Sequence, residues 1–207
     1  MRPRPKTPSG SAGSGTRQRI LDAAVDMAAR TGLRKLSMDE IARTAKVGRA
    51  TLYLHFSGRE NLVSAMIEDQ LAQFLGDVRE VLERYDDLED RLIFGFAHAF
   101  RLLRANRALR TVLEINPQIL HPAILGDSHA LRLGRTLVES TMGAEDLPAE
   151  TRSLFAEHVA RMFHTYILIP STLADLDAPG GAEDFARQFL VPVRNHLLGN
   201  APEAVAR

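Results

Sequence analysis

The chain contains no cysteine among its 207 residues, so it can form neither a disulfide nor a thiolate metal site. This composition fits a reducing compartment. No apolar run approaches the roughly 20 residues that a membrane-spanning helix needs. The basic N-terminus, MRPRPKTPSG, is not followed by an apolar segment, so it lacks the pattern of a signal peptide. These absences predict a cytoplasmic protein that does not cross a membrane.

Patterns that mark common enzyme sites are absent as well. The sequence has no glycine-rich phosphate loop, no H-E-x-x-H pair and no G-x-S-x-G turn. His158 and His164 are separated by about 600° around a helix, so they do not share a face. His121 and His129 could meet, but without a thiolate or a clear carboxylate partner they would make a poor metal site. We therefore expect no catalytic residue, no cofactor and no metal, and predict that the chain is not an enzyme.

The charges of the chain cancel overall but are unevenly distributed. Residues 1–60 hold 12 Lys and Arg against 5 Asp and Glu, a net charge of +7. Residues 61–207 hold 14 against 21, a net charge of −7. This asymmetry predicts a basic module joined to a larger acidic body, with chance clustering and a basic tail as the alternative.

Helical periodicity runs through most of the chain. Residues 1–15 consist mainly of Pro, Gly and Ser with three basic side chains, so we expect a disordered basic arm. From Thr16 onward, apolar residues recur at helical spacing, and no segment alternates as a strand would. The predicted helices lie at about 16–31, 37–45, 49–56, 57–85, 88–105, 107–115, 122–142, 148–174 and 182–198. We predict an all-α fold of about nine helices, with domains at 16–60 and 61–207.

Two short helices joined by a bend form the most informative segment. Residues 37–40, SMDE, have the pattern of a capping box at the start of the first helix. A break at 46–48 precedes the second helix, so the segment predicts a helix-turn-helix. Leu52 and Phe56 would anchor the second helix against Ile41, Ala42 and Val47, and its opposite face is small or polar. Such a helix suits insertion into the major groove of DNA.

The outer face of this helix carries side chains that can contact DNA. Thr51, Tyr53 and His55 can donate hydrogen bonds to phosphates or base edges, and Arg49 can reach guanine or phosphate. Leu54 has no evident core partner, so we expect it to contact a thymine methyl group. Lys46 falls in the bend, where a left-handed backbone costs a residue with a Cβ roughly 1 kcal/mol relative to glycine.

Three segments resemble the N-terminal DNA-binding domain of the TetR family of transcriptional regulators. They are TRQRILDAA from Thr16, LSMDEIA from Leu36, and AKVGRATLYLHFSGRENLV from Ala45. The strongest part, TLYLHFSGRENL, follows the family pattern T-L-Y-x-H/Y-F-x-x-K-E-x-L, with Arg59 in place of the usual lysine. Many members carry glycine at the position of Lys46 and serine at that of Gly48. The late LIPS and FLVP segments are similar to those of many actinobacterial members.

The resemblance implies a role for individual residues. Arg49, Ala50 and Thr51 would read bases, while Tyr53, His55 and Arg59 would contact phosphates. Thr16 and Ser37 would bring helix N-termini towards the DNA backbone, where anions are favoured. The alternatives are a packing role for Tyr53, a solvated helix cap for His55 and an exposed first-turn arginine at Arg59. The predicted DNA-binding residues are Thr16, Ser37, Lys46, Arg49, Ala50, Thr51, Tyr53, Leu54, His55 and Arg59.

The larger domain is expected to form a homodimer, because helix-turn-helix proteins usually read two half-sites with two subunits. The last two helices carry apolar residues on more than one face, which suits packing both inward and across a two-fold axis. TetR relatives dimerise through such a pair. The alternative is that both helices are simply central to one subunit. The predicted dimerisation residues are Phe155, Val159, Phe163, Phe185, Phe189 and Val193.

The resemblance also implies an effector cavity in the middle helices. With few charged residues on these faces, we expect a small hydrophobic or weakly polar effector that relieves repression at a palindromic operator. Ordinary core aromatics and surface histidines are the alternative. The other functional alternatives are a ligandless or architectural DNA-binding protein and an activator of the same fold. The predicted effector-binding residues are Phe96, Phe100, Leu103, His121, His158, Met162 and Tyr166.

Overall fold

The computed structural model of the chain describes residues 11–108, 111, 129–142 and 147–199. The chain divides into two compact units, Met1–Ala72 with Arg107–Asn116, and Gln73–Asn106 with Pro117–Arg207. All regular elements of the described residues are helical, which confirms the predicted all-α fold. No helix among them is long and apolar enough to cross a membrane. The predicted domain boundary at residue 60 stays a prediction.

The first unit is built from helices of different lengths around one apolar core. Its elements are α1 (Ser11–Thr31), a 3₁₀ turn (Leu33–Lys35), α2 (Met38–Thr44), α3 (Arg49–His55) and the first turns of α4 (Arg59–Leu82). The side chains buried most completely come from all four helices. They are Ile20, Leu21, Met27, Ile41, Leu52, Phe56 and Leu62.

Helix α1 begins five residues earlier than predicted. It includes residues 11–15, which the sequence had assigned to the basic arm. Adding a residue to an existing helix costs far less than nucleating one, so even a stretch with two glycines, which disfavour a helix, can extend it. Residues 1–10 of the predicted arm lie outside the described residues.

Further along the chain, the Thr111 hydroxyl donates to the carbonyl oxygen of Ala29 in α1 at 2.9 Å.

The second unit contains the end of α4 and the later helices. These are α5 (Leu88–Ala105), α6 (His129–Thr141), α7 (Ala149–Leu168), α8 (Gly181–Phe185) and α9 (Val191–Gly199). The predicted helix at 107–115 and the predicted start of the helix at 122–142 fall largely outside the described residues. Helix α5 has the predicted bounds, and its N-cap Asp87 accepts hydrogen bonds from the N–H groups of Glu89 and Asp90.

Two glycines mark places where a side chain would not fit the backbone. A Cβ at Gly95 would lie 2.5 Å from a methyl group of Leu82, so glycine lets α5 approach α4 closely. Gly180 has φ 81°, a left-handed conformation that serves the turn before α8. Helix α7 ends at Leu168, two residues before Pro170, whose ring cannot continue a helix. The prediction that this helix reaches residue 174 is therefore wrong.

The last predicted helix contains an irregularity that the sequence did not reveal. Residues Ala186–Leu190, between α8 and α9, form a π-helical segment. Pro192 lies just beyond it and has no N–H to donate to the preceding turn, which is a physical reason for the local change in hydrogen bonding. This segment continues directly into both flanking helices, so residues 181–199 run as one helical stretch.

Candidate nucleic-acid interface

The bend between α2 and α3 is closed by two backbone hydrogen bonds. The N–H of Lys46 donates to the carbonyl of Arg43 at 3.1 Å, and the N–H of Val47 donates to that of Ala42 at 2.9 Å. This is the Schellman arrangement, in which the residue after the C-cap takes a left-handed conformation. Lys46 has φ 54° and is the one non-glycine residue with positive φ among the described residues. The predicted strained position is confirmed.

Both helices of the motif begin at residues in an extended conformation. At the start of α2 the Ser37 hydroxyl accepts a hydrogen bond from the N–H of Glu40 at 3.4 Å, as the capping pattern predicts. At the start of α3, Gly48 has φ −68° and ψ 149° but offers no side-chain oxygen. Helix α3 therefore lacks the side-chain cap that serine would supply.

Helix α3 is anchored on one side and exposed on the other. Leu52 and Phe56 are buried in one cluster with Ile41 and Ala42, and Val47 packs against it, as predicted. The side chain of Leu54, by contrast, is 84% exposed. The remaining predicted contact residues on α3 are exposed or half-buried: Arg49, Ala50, Thr51, Tyr53 and His55. An exposed face above a fixed apolar anchor can enter a groove without disturbing the core.

Arg49 lies between two neighbours that the sequence did not connect with it. Its Nε atom is 3.3 Å from Oδ1 of Asp39 in the first turn of α2, and its Nη1 donates to Oδ2 at 3.5 Å. Its guanidinium carbon also lies 5.7 Å from the ring centroid of Tyr53, one turn further along α3. A spacing of ten residues across a bend has no local signature, so Asp39 was missed.

Arg59 and Thr16 make contacts within the protein that the resemblance did not imply. Arg59 is exposed at the start of α4, and its Nη2 donates to the carbonyl of Leu33 at 2.5 Å. Part of its donor capacity therefore stabilises the 3₁₀ turn. Thr16 lies inside α1, where its hydroxyl accepts from Arg19 at 3.2 Å, so it does not start a helix. Contact of either residue with DNA stays a prediction.

Arg17 is a further basic residue on this unit and is not among the predicted DNA-binding residues. Its guanidinium carbon lies 5.5 Å from the ring centroid of Phe56, at the end of α3. The side chain is exposed, so its remaining N–H groups are open to solvent. The segment TRQRILDAA at the start of the resemblance contains this arginine, and it was the available sign.

The predicted effector and dimerisation residues meet in one aromatic cluster of the second unit. Phe96 packs edge-on against Phe163 and stacks on Phe185, with both centroid distances at 5.6 Å. Tyr166 contacts Phe185 at 4.6 Å, and Phe189 contacts it at 5.0 Å. Residues from the two predicted sets therefore contact one another, and Phe185 lies at the centre of the cluster.

The other residues of these two sets differ in their exposure. Phe100, Phe155 and Val159 are buried, Leu103 and Met162 are half-buried, and His158 is exposed on α7. His121 lies outside the described residues. On the last helical stretch Phe189 is 44% exposed, and Val193 is exposed beside it. Leu154, which is not in either set, is also exposed. Roles of these residues in dimer or effector contacts stay predictions.

An open groove of about 410 Å³ lies between the end of α4 and α5. Tyr85 and Phe94 stack there with centroids 4.7 Å apart, and His98 is beside them. Burial lowers the pKa of His98, and the positive charges of Arg101 and Arg84 lower it further. The negative charges of Asp77 and Glu80 act in the opposite direction. None of the predicted effector residues that the structure describes lines this groove.

Comparison with known proteins connects the helix-turn-helix with a family. Residues 20–66 match the family model for bacterial regulatory proteins of the tetR family. The fatty acid metabolism regulator protein of Bacillus subtilis is 26% identical over 96 residues, which cover 46% of this chain and 50% of that protein. The chain thus matches half the length of this relative.

Two other similar proteins extend the match over more of the chain. An uncharacterized HTH-type transcriptional regulator of Mycobacterium tuberculosis is 28% identical over 155 residues, covering 73% of this chain and 74% of that protein. The crystal structure of the TetR family repressor AlkX from a Dietzia strain superposes with a TM-score of 0.64 at 20% identity. The superposition covers 88% of this chain and 96% of AlkX, and it supports the all-α fold described above.

Proposed function

We propose that this chain, which belongs to the TetR family of bacterial transcriptional regulators, is a cytoplasmic repressor that binds a palindromic operator as a homodimer. A small hydrophobic effector would release it from the DNA. Its relatives are transcriptional regulators and not enzymes, in agreement with the absence of enzyme patterns in the sequence. The observation that carries the proposal is the exposed face of α3 above its buried anchor.

The charge and chemistry of α3 and its surroundings support DNA as the partner. Lys46 and Arg59 are exposed on the helix-turn-helix or just after it, and each can neutralise a phosphate. Arg49 has the donor geometry for guanine, and Leu54 offers an apolar contact for a thymine methyl group. The N-terminal end of α3, where base contacts of such helices concentrate, holds Arg49.

The size of α3 supports a dimer. Its seven residues extend for about 10 Å, which is enough for only a few base pairs. Two copies at half-sites roughly 34–36 Å apart, or a multiple of this distance, would give the specificity that one copy lacks. The exposed apolar side chains of Leu154, Phe189 and Val193 are available for contact with a second subunit.

The aromatic cluster around Phe185 supports a hydrophobic effector. Its members present almost entirely apolar surface, with the hydroxyl of Tyr166 as a polar group to orient a ligand. The Bacillus subtilis relative is named for fatty acid metabolism, which involves apolar chains. Release requires the effector to bind the conformation that is unable to bind DNA more tightly than the competent one. Helix α4, which contributes residues to both units, is the element through which we expect this change to act.

The test is selection of a binding site by the purified full chain from random double-stranded DNA, followed by titration of the enriched sequence. The expected result is an inverted repeat bound by a dimer. Apolar metabolites that raise the melting temperature of the protein should then release it from this DNA. Enrichment of no sequence at low salt would contradict sequence-specific binding.

A ligandless DNA-binding protein is the second candidate, because Phe96 and Tyr166, which were predicted to line a cavity, pack against other aromatic side chains of the second unit. In that case no compound would shift the melting temperature or release the DNA. An activator of the same fold is distinguished by a reporter gene placed behind the selected site. Expression would then rise, instead of fall, when the protein is produced.

A further inference from the structure

We propose that Asp39 is a positioning residue that makes Arg49 read a base in preference to a phosphate. This inference rests on the proposed DNA-binding function and adds a determinant of specificity to it. Asp39 belongs to α2 and lies outside α3, so it would act through Arg49 alone. The juxtaposition of the two side chains across the bend carries the inference.

The geometry fixes the guanidinium of Arg49 from two sides. Asp39 holds it by two nitrogen–oxygen distances of 3.3 and 3.5 Å, and the ring of Tyr53 lies 5.7 Å from its central carbon. A guanidinium has five N–H donors, so those that Asp39 leaves free can still bind the O6 and N7 atoms of guanine. The pair thereby selects one rotamer of a flexible side chain before DNA is bound.

The exposure of the pair indicates a role in recognition and not in folding. The side chains of Arg49 and Asp39 are 68% and 57% exposed. Exposed ion pairs contribute little to stability, since solvent screens them and both side chains lose freedom. A pair with so little structural value on the outer surface of the helix-turn-helix is better explained by its effect on DNA binding.

The charge of Asp39 also disfavours the competing contact. A carboxylate beside the guanidinium cancels its charge at a distance and repels the phosphate backbone. Arg49 would therefore add little to non-specific attraction, which Lys46 and the other basic residues supply. Arg49 would contribute to the free energy of binding mainly where a guanine offers it two acceptors.

The chain offers a matched control in the next residue. Glu40 is exposed in the same first turn of α2, and its exchange for Gln removes the same charge one residue further from the helix N-terminus. Unlike Asp39, it has no described contact with Arg49. Comparing Asp39→Asn with Glu40→Gln therefore separates the loss of a negative charge from the loss of positioning.

The experiment uses the full chain and the DNA site selected by the wild type. Binding to this site, to single-base variants of it and to unrelated duplex DNA is measured at several salt concentrations. We expect both variants to bind unrelated DNA more tightly. Only Asp39→Asn should lose discrimination at one base pair, roughly tenfold, which is the size of one good base contact. In an Arg49→Ala background, Asp39→Asn should cause no further loss.

Several outcomes would overturn the inference. If Asp39→Asn and Glu40→Gln discriminate equally well between the single-base variants, Asp39 acts only as a surface charge. A loss that persists in the Arg49→Ala background would mean that Asp39 acts through another residue. Asp39→Glu, which keeps the charge with a longer reach, should restore part of the discrimination, and its melting temperature checks the fold. If the wild type selects a site but Asp39→Asn discriminates normally, only this inference fails; if it selects none, the proposed function fails with it.

Discussion

The N–H of Val47 donates to the carbonyl of Ala42 at 2.9 Å, and this bond closes the turn that holds Lys46 at φ 54°. A left-handed backbone is strained for any residue with a Cβ, by about 1–2 kcal/mol. The turn keeps this conformation because Val47 packs into the core of the first unit. Strain and positive charge thus occur at the same residue, and substitutions can separate them.

Lys46→Gly should stabilise the protein and weaken its binding to DNA. Removing the strain is expected to raise the melting temperature by a few degrees. Losing the charge should reduce the slope of log K against log salt by about 0.9, the value for one phosphate contact. Calorimetry and binding titrations at several salt concentrations would measure the two effects.

Lys46→Asn is the control for this prediction, since asparagine tolerates the left-handed region but carries no charge. It should show the same change in salt dependence with a smaller gain in stability. A salt dependence that both variants leave unchanged would place Lys46 away from the DNA.

Gly48→Ser should stabilise α3 by a few tenths of a kcal/mol through a side-chain cap. The backbone is already extended there, and an added Cβ would lie at an ordinary 3.7 Å from the Thr51 hydroxyl oxygen. Gly48→Ala adds the same Cβ without an oxygen, so it should be less stable than Gly48→Ser by about 1 kcal/mol. Equal melting temperatures for the two variants would exclude capping as the cause.

Arg49→Ala and Tyr53→Phe should have different effects on binding. Arg49→Ala is expected to weaken binding and to relax specificity at one base step, whereas Tyr53→Phe should weaken binding to all sequences alike through a lost phosphate contact. Titration of the selected site and its single-base variants distinguishes the two patterns. Equal losses across every variant for Arg49→Ala would mean that it contacts only phosphate.

The local parts of this fold followed from the sequence, and the contacts between distant residues did not. Leu52 and Phe56 repeat at helical spacing, so their burial was predictable, and so was the strain at Lys46. Arg59 was assigned to phosphate, but 26 positions separate it from the Leu33 carbonyl that it contacts. No spacing rule reports such a contact, because the packing of several helices creates it.

Two phenylalanines that the sequence placed in one group differ in their burial. The sequence grouped Phe185 and Phe189 as dimerisation residues, since both are aromatic and one turn apart. The first is 4% exposed and the second 44%. Their periodicity could not show this division, because the π-helical segment between α8 and α9 changes the angle between successive side chains.

Phe185→Ala and Phe189→Ala should therefore differ in their consequences. Truncating the buried Phe185 is expected to cost about 3–5 kcal/mol of folding free energy, because it leaves a cavity among Phe96, Tyr166 and Phe189. Phe189→Ala should leave the subunit folded but weaken the dimer, so its sedimentation should become dependent on concentration. A fully dimeric Phe189→Ala protein would place the subunit interface elsewhere.

Glu183 should make the stability of the second unit depend on pH in the acidic range. Burial alone would raise the pKa of this carboxyl, whose side chain is 14% exposed. The hydrogen bond from Arg101 at 2.7 Å, a backbone hydrogen bond and the charges of Arg101 and Arg187 outweigh burial and hold the pKa below its ordinary 4.5. A lowered pKa in the folded state contributes stability above the unfolded pKa. This stability is lost as the pH falls through the folded pKa.

Glu183→Gln should consequently flatten the fall in the melting temperature below about pH 5, since the group that binds a proton on unfolding is gone. The neighbouring Asp184→Asn is the matched control, because Asp184 is exposed and its ion pair with Arg187 at 3.0 Å spans only one helical turn. We expect that variant to follow the wild-type pH profile. If both variants flatten the profile equally, general charge repulsion explains the acid sensitivity, and the Arg101–Glu183 pair has no special part in it.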